Sequence, residues 1–245
     1  MSLVANATRM LEALNYPRAF ARALTGRKFS VASHRVAHAL AHYQPELRTI
    51  LDVGANEGQF ALAVAHHFPG AEICAFEPVP DVFECLRRNT RNEPHIRLYD
   101  VALGSRSGRI RFYRNRYTQV SSALLIDPDN KQPNYDATAV SCIEVPVARL
   151  DDLASHLYLR RPLLLKLDVQ GFEREVLLGA ERLLGSIDYV LLEMAFVPLY
   201  VGQPLFDELD DFLRRLNYRL VAPLGFNEGA DRTIIEADML YRITV

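Results

Sequence analysis

Residues 49–78 read TILDVGANEGQFALAVAHHFPGAEICAFEP, and this stretch decides the fold. An apolar run, Ile50-Leu51-Asp52-Val53, stops at a turn carrying two glycines, Gly54 and Gly58. A helical stretch follows. A second apolar run, residues 72–76, then ends at Glu77-Pro78. Two apolar runs joined by a helix read as a βαβ unit, because parallel strands need a crossover that returns the chain to its starting end. The glycines permit a sharp turn and let a ligand approach the backbone. An acid about 20 residues past the turn, at the end of the second strand, is where nucleotide-binding units hold a ribose hydroxyl.

The composition sets limits around this unit. The chain has 245 residues, 49% hydrophobic, 24% charged and 9% aromatic, enough for a full core. Its net charge is −2, with no basic excess to suggest a nucleic-acid partner. Cys74, Cys85 and Cys142 are widely spaced and none forms a C-x-x-C, which argues against a disulfide framework or structural zinc and for a reducing, cytoplasmic setting. No signal peptide is indicated, and no run approaches 18 uncharged apolar residues, so no membrane span is expected.

The remaining chain fits an α/β reading: a Rossmann-like sheet of about seven strands with helices on both faces. Residues 1–45 read as an N-terminal helical extension and 46–245 as the main domain. Within the extension, residues 2–24 and 33–43 have helical patterns, and His34, His38 and His42 fall on one helical face. That stripe reads better as surface than as a metal site, since no acid shares the face. His66 and His67 close the crossover helix, where a cation complements the helix dipole. Strand 3 is expected over 96–103, strand 4 over 163–168, strand 5 over 189–193, strand 6 over 218–221 and strand 7 over 239–244. Strands 6 and 7 have no helical period between them, which predicts an antiparallel return. Residues 108–114 alternate polar and apolar, and 121–125 and 141–147 look like further short strands, so 105–148 reads as a small β insertion. Its loop, residues 127–137, is rich in Asp, Asn and Pro.

Acids cluster at the predicted carboxyl ends of the strands: Asp52, Glu77, Asp100, Asp168 and Glu193. Ligands bind there in open α/β sheets, and a carboxylate at a buried strand end must be hydrogen-bonded or bind something. The turn D-V-G-A-N-E-G is not G-x-G-x-x-G, so the dinucleotide fingerprint is not met. Asp52 and Glu57 flank the glycines where a pyrophosphate needs donors and positive potential. An acidic glycine turn suits S-adenosylmethionine, with its amino group, sulfonium and ribose diol.

Three further stretches carry a family resemblance. Lys166-Leu167-Asp168-Val169-Gln170-Gly171-Phe172-Glu173-Arg174-Glu175-Val176-Leu177-Leu178-Gly179 resembles the hallmark K-I-D-V-E-G-x-E-x-x-V-L-x-G of the FkbM family of S-adenosylmethionine-dependent methyltransferases. Residues 52–60 are similar to that family's D-V-G-A-N-x-G-x-F, and Phe76-Glu77-Pro78 to its F-E-P. Val101-Ala102-Leu103-Gly104, Ser121-Ser122 and residues 147–153 fall in the family's order. Position 170 departs from the hallmark: it is Gln where the family more often has Glu. The resemblance implies O-methyl transfer to a hydroxyl of a small-molecule or saccharide acceptor, and it leaves the acceptor and the oligomeric state open.

By analogy of position, Asp52 and Gly54 should face the methionine part of the cofactor, with Asn56 and Gly58 shaping the turn. Glu77, followed by Pro78, should accept from the ribose hydroxyls, and Asp100 with the Val101 backbone should read the adenine edge. Strand alternation puts Lys166, Asp168 and Gln170 on one face, so Asp168 is the candidate base, tuned by Lys166. The competing reading is a buried ion pair that fixes the strand end. Glu193 on the neighbouring strand is the third catalytic candidate. Asp168 and Glu193 offer oxygens to Mg²⁺, which is disfavoured because Gln170 is uncharged and no third acid is identified. The insertion and residues 225–233 should rim the acceptor pocket. Arg109, Arg111, Arg114 and Arg116 raise the alternative of an acidic acceptor, and Tyr113, Tyr117 and Tyr135 that of sugar stacking. Two other functions stay open: an NAD-dependent oxidoreductase on a related sheet, and a cofactor-binding protein without turnover.

Overall fold

The computed structural model describes residues 30–130, 132, 135, 140–229 and 231–244; the helical pattern at 2–24 lies outside them. Seven strands form the main sheet: β1 (Thr49–Val53), β2 (Glu72–Phe76), β3 (Ile96–Tyr99), β7 (Leu163–Leu167), β8 (Tyr189–Ala195), β9 (Tyr218–Glu228) and β10 (Ile234–Ile243). Their order is β3-β2-β1-β7-β8-β10-β9. The first five are parallel, and β10 runs antiparallel to both β8 and β9. The expected antiparallel return is therefore present, with β10 inserted between β8 and β9 so that β9 is the edge. The order reverses between β1 and β7, the switch point at which such sheets open a crevice.

The helices are α1 (Val31–Tyr43), α2 (Gln59–His67), α3 (Pro80–Thr90), α4 (Leu150–Leu153), α5 (Glu173–Leu178), α6 (Glu181–Leu184) and α7 (Phe206–Arg215). Strand alternation divides the core in two. Leu51, Val53, Phe76, Leu165, Leu167 and Leu192 face α5, α6 and α7. Ile50, Ile73, Ala75, Leu164, Leu191 and Leu240 face α1 and α2. The described part of the N-terminal stretch thus belongs to this second core: Val36, Ala37 and Leu40 of α1 are buried in it.

Several elements differ from the sequence reading. The predicted third strand breaks at Asp100-Val101. Its second piece, β4 (Ala102–Leu103), leaves the main sheet and pairs with β6 (Val140–Ala148), which also pairs with β5 (Gly108–Asn115). The stretch after β7 is two helices, α5 and α6, because Gly179 ends the first. A Cβ on Gly179 would lie 2.0 Å from the Gly104 carbonyl oxygen, so the glycine of the hallmark lets α5 seat against the insertion. Asp151 and Asp152 lie in the first turn of α4. Asp151 accepts from Arg182 N (3.2 Å) and Leu183 N (3.0 Å), capping α6 across space. Ser121 to Leu125 forms no strand, though Ser122 bridges Tyr113.

The histidines also resolve. His34 meets His66 and His67 edge-on at 5.6 and 5.7 Å, and His38 meets His67 at 5.7 Å, between α1 and α2. Burial, then the neighbouring histidines, pushes His34 and His67 down to about 4. His67 is thus neutral at pH 7 and brings no cation to the end of α2, contrary to the dipole reading.

Candidate active site

On one face of the sheet, the carboxyl ends of the strands turn from apolar to charged. Asp52, Lys166, Glu193 and Asp238 each lie two residues from a residue of the second core: Ile50, Leu164, Leu191 and Leu240. Register aligns Asp52 with Lys166 and Glu193 with Asp238. The result is a charged floor that spans β1, β7, β8 and β10.

Lys166 is its centre. The ammonium lies 3.2 Å from Asp52 Oδ1 and 3.3 Å from Asp168 Oδ2, and over the Phe60 ring of α2. Burial lowers its pKa, but Asp168 and Asp52 more than offset this and raise it above the ordinary lysine value. For Asp52, 0% exposed, burial dominates and pushes the carboxyl up, with Lys166 opposing. The partners shift differently because one ammonium serves two carboxylates. Asp168 is 37% exposed at its side chain, toward the cavity. Burial pushes it up, yet Lys166 first, then hydrogen bonds from Gln170 and Glu193, hold it below the usual carboxylate range. Glu193 goes the other way, raised well above it by burial and by Asp168. The two neighbouring carboxyls are shifted in opposite directions, an arrangement suited to acid–base work.

The glycine turn crosses this floor at the switch point. Gly54 takes φ 78°, and a Cβ there would lie 1.9 Å from the Asp168 carbonyl oxygen, so glycine is required by the close crossing of β1 and β7. Gly58, at φ 93°, abuts Leu86 and Thr90 of α3. Its local reason is helix packing. Asn56 takes the left-handed conformation at φ 49°, which Asn tolerates. Its N–H donates to Glu77 Oε2 at 3.0 Å, while Val79 N donates to Oε1 at 2.9 Å. Glu77, 6% exposed, is pushed up to about 7 by burial, against these two bonds.

A cavity of about 1480 Å³ opens above the floor. Gly54, Asn56, Glu77, Pro78, Val101, Lys166, Asp168 and Glu193 line it. Asp52 lies beneath the lining, Gly58 lies beside it, and Asp100 is exposed and outside it. Parts of the insertion (Phe112, Val120, Tyr135) and of residues 225–233 form the walls, joined by Arg35 and Val36 of α1. Arg109, Arg111, Arg114 and Arg116 are absent from the lining; Arg114 pairs with Asp81 and Arg109 with Glu144. Tyr113 and Tyr117 also lie off it.

Sequence reasoning missed Glu236, Asp238 and Tyr200. Tyr135 donates to Glu236 Oε2 at 3.1 Å. Burial, first, pushes Glu236 to about 7 and Asp238 to about 6. The signal was present: Glu236-Ala237-Asp238-Met239-Leu240 alternates acid and apolar, and the strand begins at Ile234, not Met239.

The donor set bears on which nucleotide fits. Among the described residues, Arg35 and Lys166 are the only basic side chains in the lining, against Glu77, Asp168, Glu193, Glu236 and Asp238. Lys166 is committed to carboxylates. A pyrophosphate would meet acids, whereas a ligand with a sulfonium and an ammonium finds complementary charge.

A seven-stranded sheet with this order, a glycine turn at the switch point and an acid after β2 is the fold of a class I methyltransferase. The methyltransferase FkbM domain matches residues 52–220, and the chain belongs to this family of S-adenosylmethionine-dependent methyltransferases. It is 30% identical over 233 residues to the 2-O-methyltransferase NoeI of Sinorhizobium fredii, covering 93% of this chain and 91% of that protein. It is 31% identical over 153 residues to the 31-O-demethyl-FK506 methyltransferase FkbM of Streptomyces tacrolimicus, covering 54% of this chain and 59% of that one. In fold it is similar to magnesium protoporphyrin IX methyltransferase of Synechocystis PCC 6803, solved with bound SAM. There the TM-score is 0.50 at 9% identity, over 87% of this chain and 81% of that one. Among the described residues no helix is long and apolar enough to cross a membrane.

Proposed function

We propose that the protein transfers the methyl group of S-adenosylmethionine to a hydroxyl oxygen of a small-molecule or saccharide acceptor, with Asp168 as general base. The observation that carries this reading is an ionised carboxylate, fixed by Lys166 and Gln170, that opens into a large cavity at the switch point. The names of the two relatives, both acting at oxygen, support the same chemistry.

When bound, the cofactor supplies a methyl carbon activated by its sulfonium for in-line displacement. The chain supplies the rest. Glu77, with both oxygens fixed by backbone N–H groups, accepts from the ribose hydroxyls. The Gly54–Asn56 turn sets the depth at which the amino acid end lies. Asp168 takes the proton as the acceptor O–H bond breaks; the C–O bond would form as the methyl–sulfur bond breaks, with the thioether S-adenosylhomocysteine as leaving group. Lys166 keeps Asp168 ionised at neutral pH. Glu193 orients the acceptor oxygen. The acidic walls favour a neutral or cationic acceptor over a carboxylate- or phosphate-bearing one.

Incubation with methyl-labelled S-adenosylmethionine and a panel of neutral glycosides, aminoglycosides and uronic acids tests this. The expected product is a labelled methyl ether that survives mild base. Label found only as a base-labile ester or on nitrogen, with no ether from any hydroxylated acceptor, would contradict oxygen as the target.

A further inference from the structure

Gln170 stands where the family hallmark more often carries Glu, and its surroundings say what the amide does. Its Nε2 lies 2.7 Å from Glu193 Oε2 and 3.0 Å from Asp168 Oδ1, between the two carboxylates. Its Oε1 lies 2.7 Å from the Tyr200 hydroxyl. The orientation is forced. The amide nitrogen has two N–H donors for two carboxylates, and turning it over would set Oε1 against both acids. Tyr200 must then donate to Oε1. It is 1% exposed, and its other neighbour, the Val120 carbonyl at 3.1 Å, is also an acceptor. The backbone is held as well: Gln170 takes φ 54°, Gly171 takes φ 92°, and Ser122 Oγ donates to the Gln170 carbonyl at 2.6 Å. A left-handed non-glycine residue is costly and persists only where its surroundings fix it.

We infer that Gln170, oriented by Tyr200 and Ser122, is a positioning residue whose amide nitrogen bridges Asp168 and Glu193, so that this chain's carboxylate pair is assembled without metal. The inference rests on the methyl-transfer reading for its catalytic meaning, but the bridging itself does not. A glutamate at 170 would bring a third carboxylate to within about 3 Å of two others, a set that ionises together only around a cation or shared protons. Hydrogen bonds from Nε2 relieve that repulsion at no charge. Among the described residues no group of three His, Cys, Asp or Glu side chains is spaced to hold a metal ion, and Gln170→Glu would create one candidate.

The test is titration with Mn²⁺, followed by calorimetry and thermal unfolding, on wild type, Gln170→Glu and Gln170→Ala. Wild type and Gln170→Ala should show no saturable binding below millimolar Mn²⁺, whereas Gln170→Glu should bind and be stabilised by it. Loss of that binding in Gln170→Glu/Asp168→Asn would place the ion at the pair. In Tyr200→Phe, carboxyl ¹³C titration should move the Asp168 transition upward, since a freed amide no longer donates to it; a merely structural tyrosine would leave it in place. Saturable Mn²⁺ binding by wild type that Asp168→Asn abolishes would overturn the inference, as would a folded Gln170→Glu that ignores the metal. If Gln170→Glu does not fold, the wild-type titration and the Tyr200→Phe transition decide alone. S-adenosylmethionine binding, measured in parallel on wild type, reports on the methyl-transfer reading separately.

Discussion

Asp168→Asn is expected to lower turnover by about 10²–10⁴-fold, the range for removal of a positioned general base, without weakening S-adenosylmethionine binding. The substitution keeps the shape of the side chain and its acceptor oxygen toward Gln170. Lys166 keeps Asp52 at 3.2 Å, so no buried ammonium is left without a counter-charge. What is lost is the carboxylate beside Lys166 that opens into the cavity at the switch point. Because Asp168 is held below the usual carboxylate range, wild-type turnover should stay independent of this group down through mildly acidic pH. Initial rates with an accepted acceptor, read beside calorimetry for the cofactor, separate the two effects. Undiminished turnover in a folded Asp168→Asn would remove Asp168 from the chemistry and leave the buried ion pair as its role.

Lys166→Met should be the costliest single change to stability, about 3–5 kcal/mol, the range for stripping one partner from a buried ion pair. That is a large share of the roughly 5–15 kcal/mol that holds a domain folded. Asp52 is 0% exposed, and among the described residues neither of its oxygens accepts a well-formed hydrogen bond, so the ammonium is what neutralises it. The pH dependence has a definite sign. The folded-state value of Lys166 lies above 10.5, so its contribution is fully present at neutral pH and fades only in strong alkali. In the variant, Asp52 loses the group opposing its upward shift. An acid with a raised folded value destabilises once ionised, so the deficit should be largest near pH 8 and shrink towards pH 5 as Asp52 protonates. Urea unfolding at both values checks this. A loss under about 1 kcal/mol at pH 8, typical of an exposed pair, would contradict it.

The parts of this fold that could be read from the sequence are those in which local pattern and tertiary role agree. Residues 49–78 carry apolar runs bounded by glycine and proline, and both strands and the crossover helix fall where the pattern puts them. Lys166 and Asp168 meet because strand alternation says they must. Gln170 joins them by another route, a left-handed turn after the strand has ended, which alternation cannot foresee. Its contact with Tyr200, thirty residues on, follows from no periodicity. Asp100 shows the opposite case: an acid at a strand end that is exposed and outside the cavity lining, beside the break after which β4 pairs with β6. Gly54 and Gly58 could be read as glycines required by geometry. What presses on them is backbone and α3, which only the packed chain reveals.

The central claim is that the acidic glycine turn and Glu77 hold S-adenosylmethionine. Calorimetric titration of the purified protein with S-adenosylmethionine, S-adenosylhomocysteine and NAD, repeated on Glu77→Gln, tests it most directly. The account predicts saturable one-to-one binding of the first two, none of NAD, and an affinity about 10- to 100-fold weaker in Glu77→Gln, as expected for disrupting hydrogen bonds to a charged acceptor. Binding of NAD alone, or unchanged S-adenosylmethionine affinity in Glu77→Gln, would contradict it.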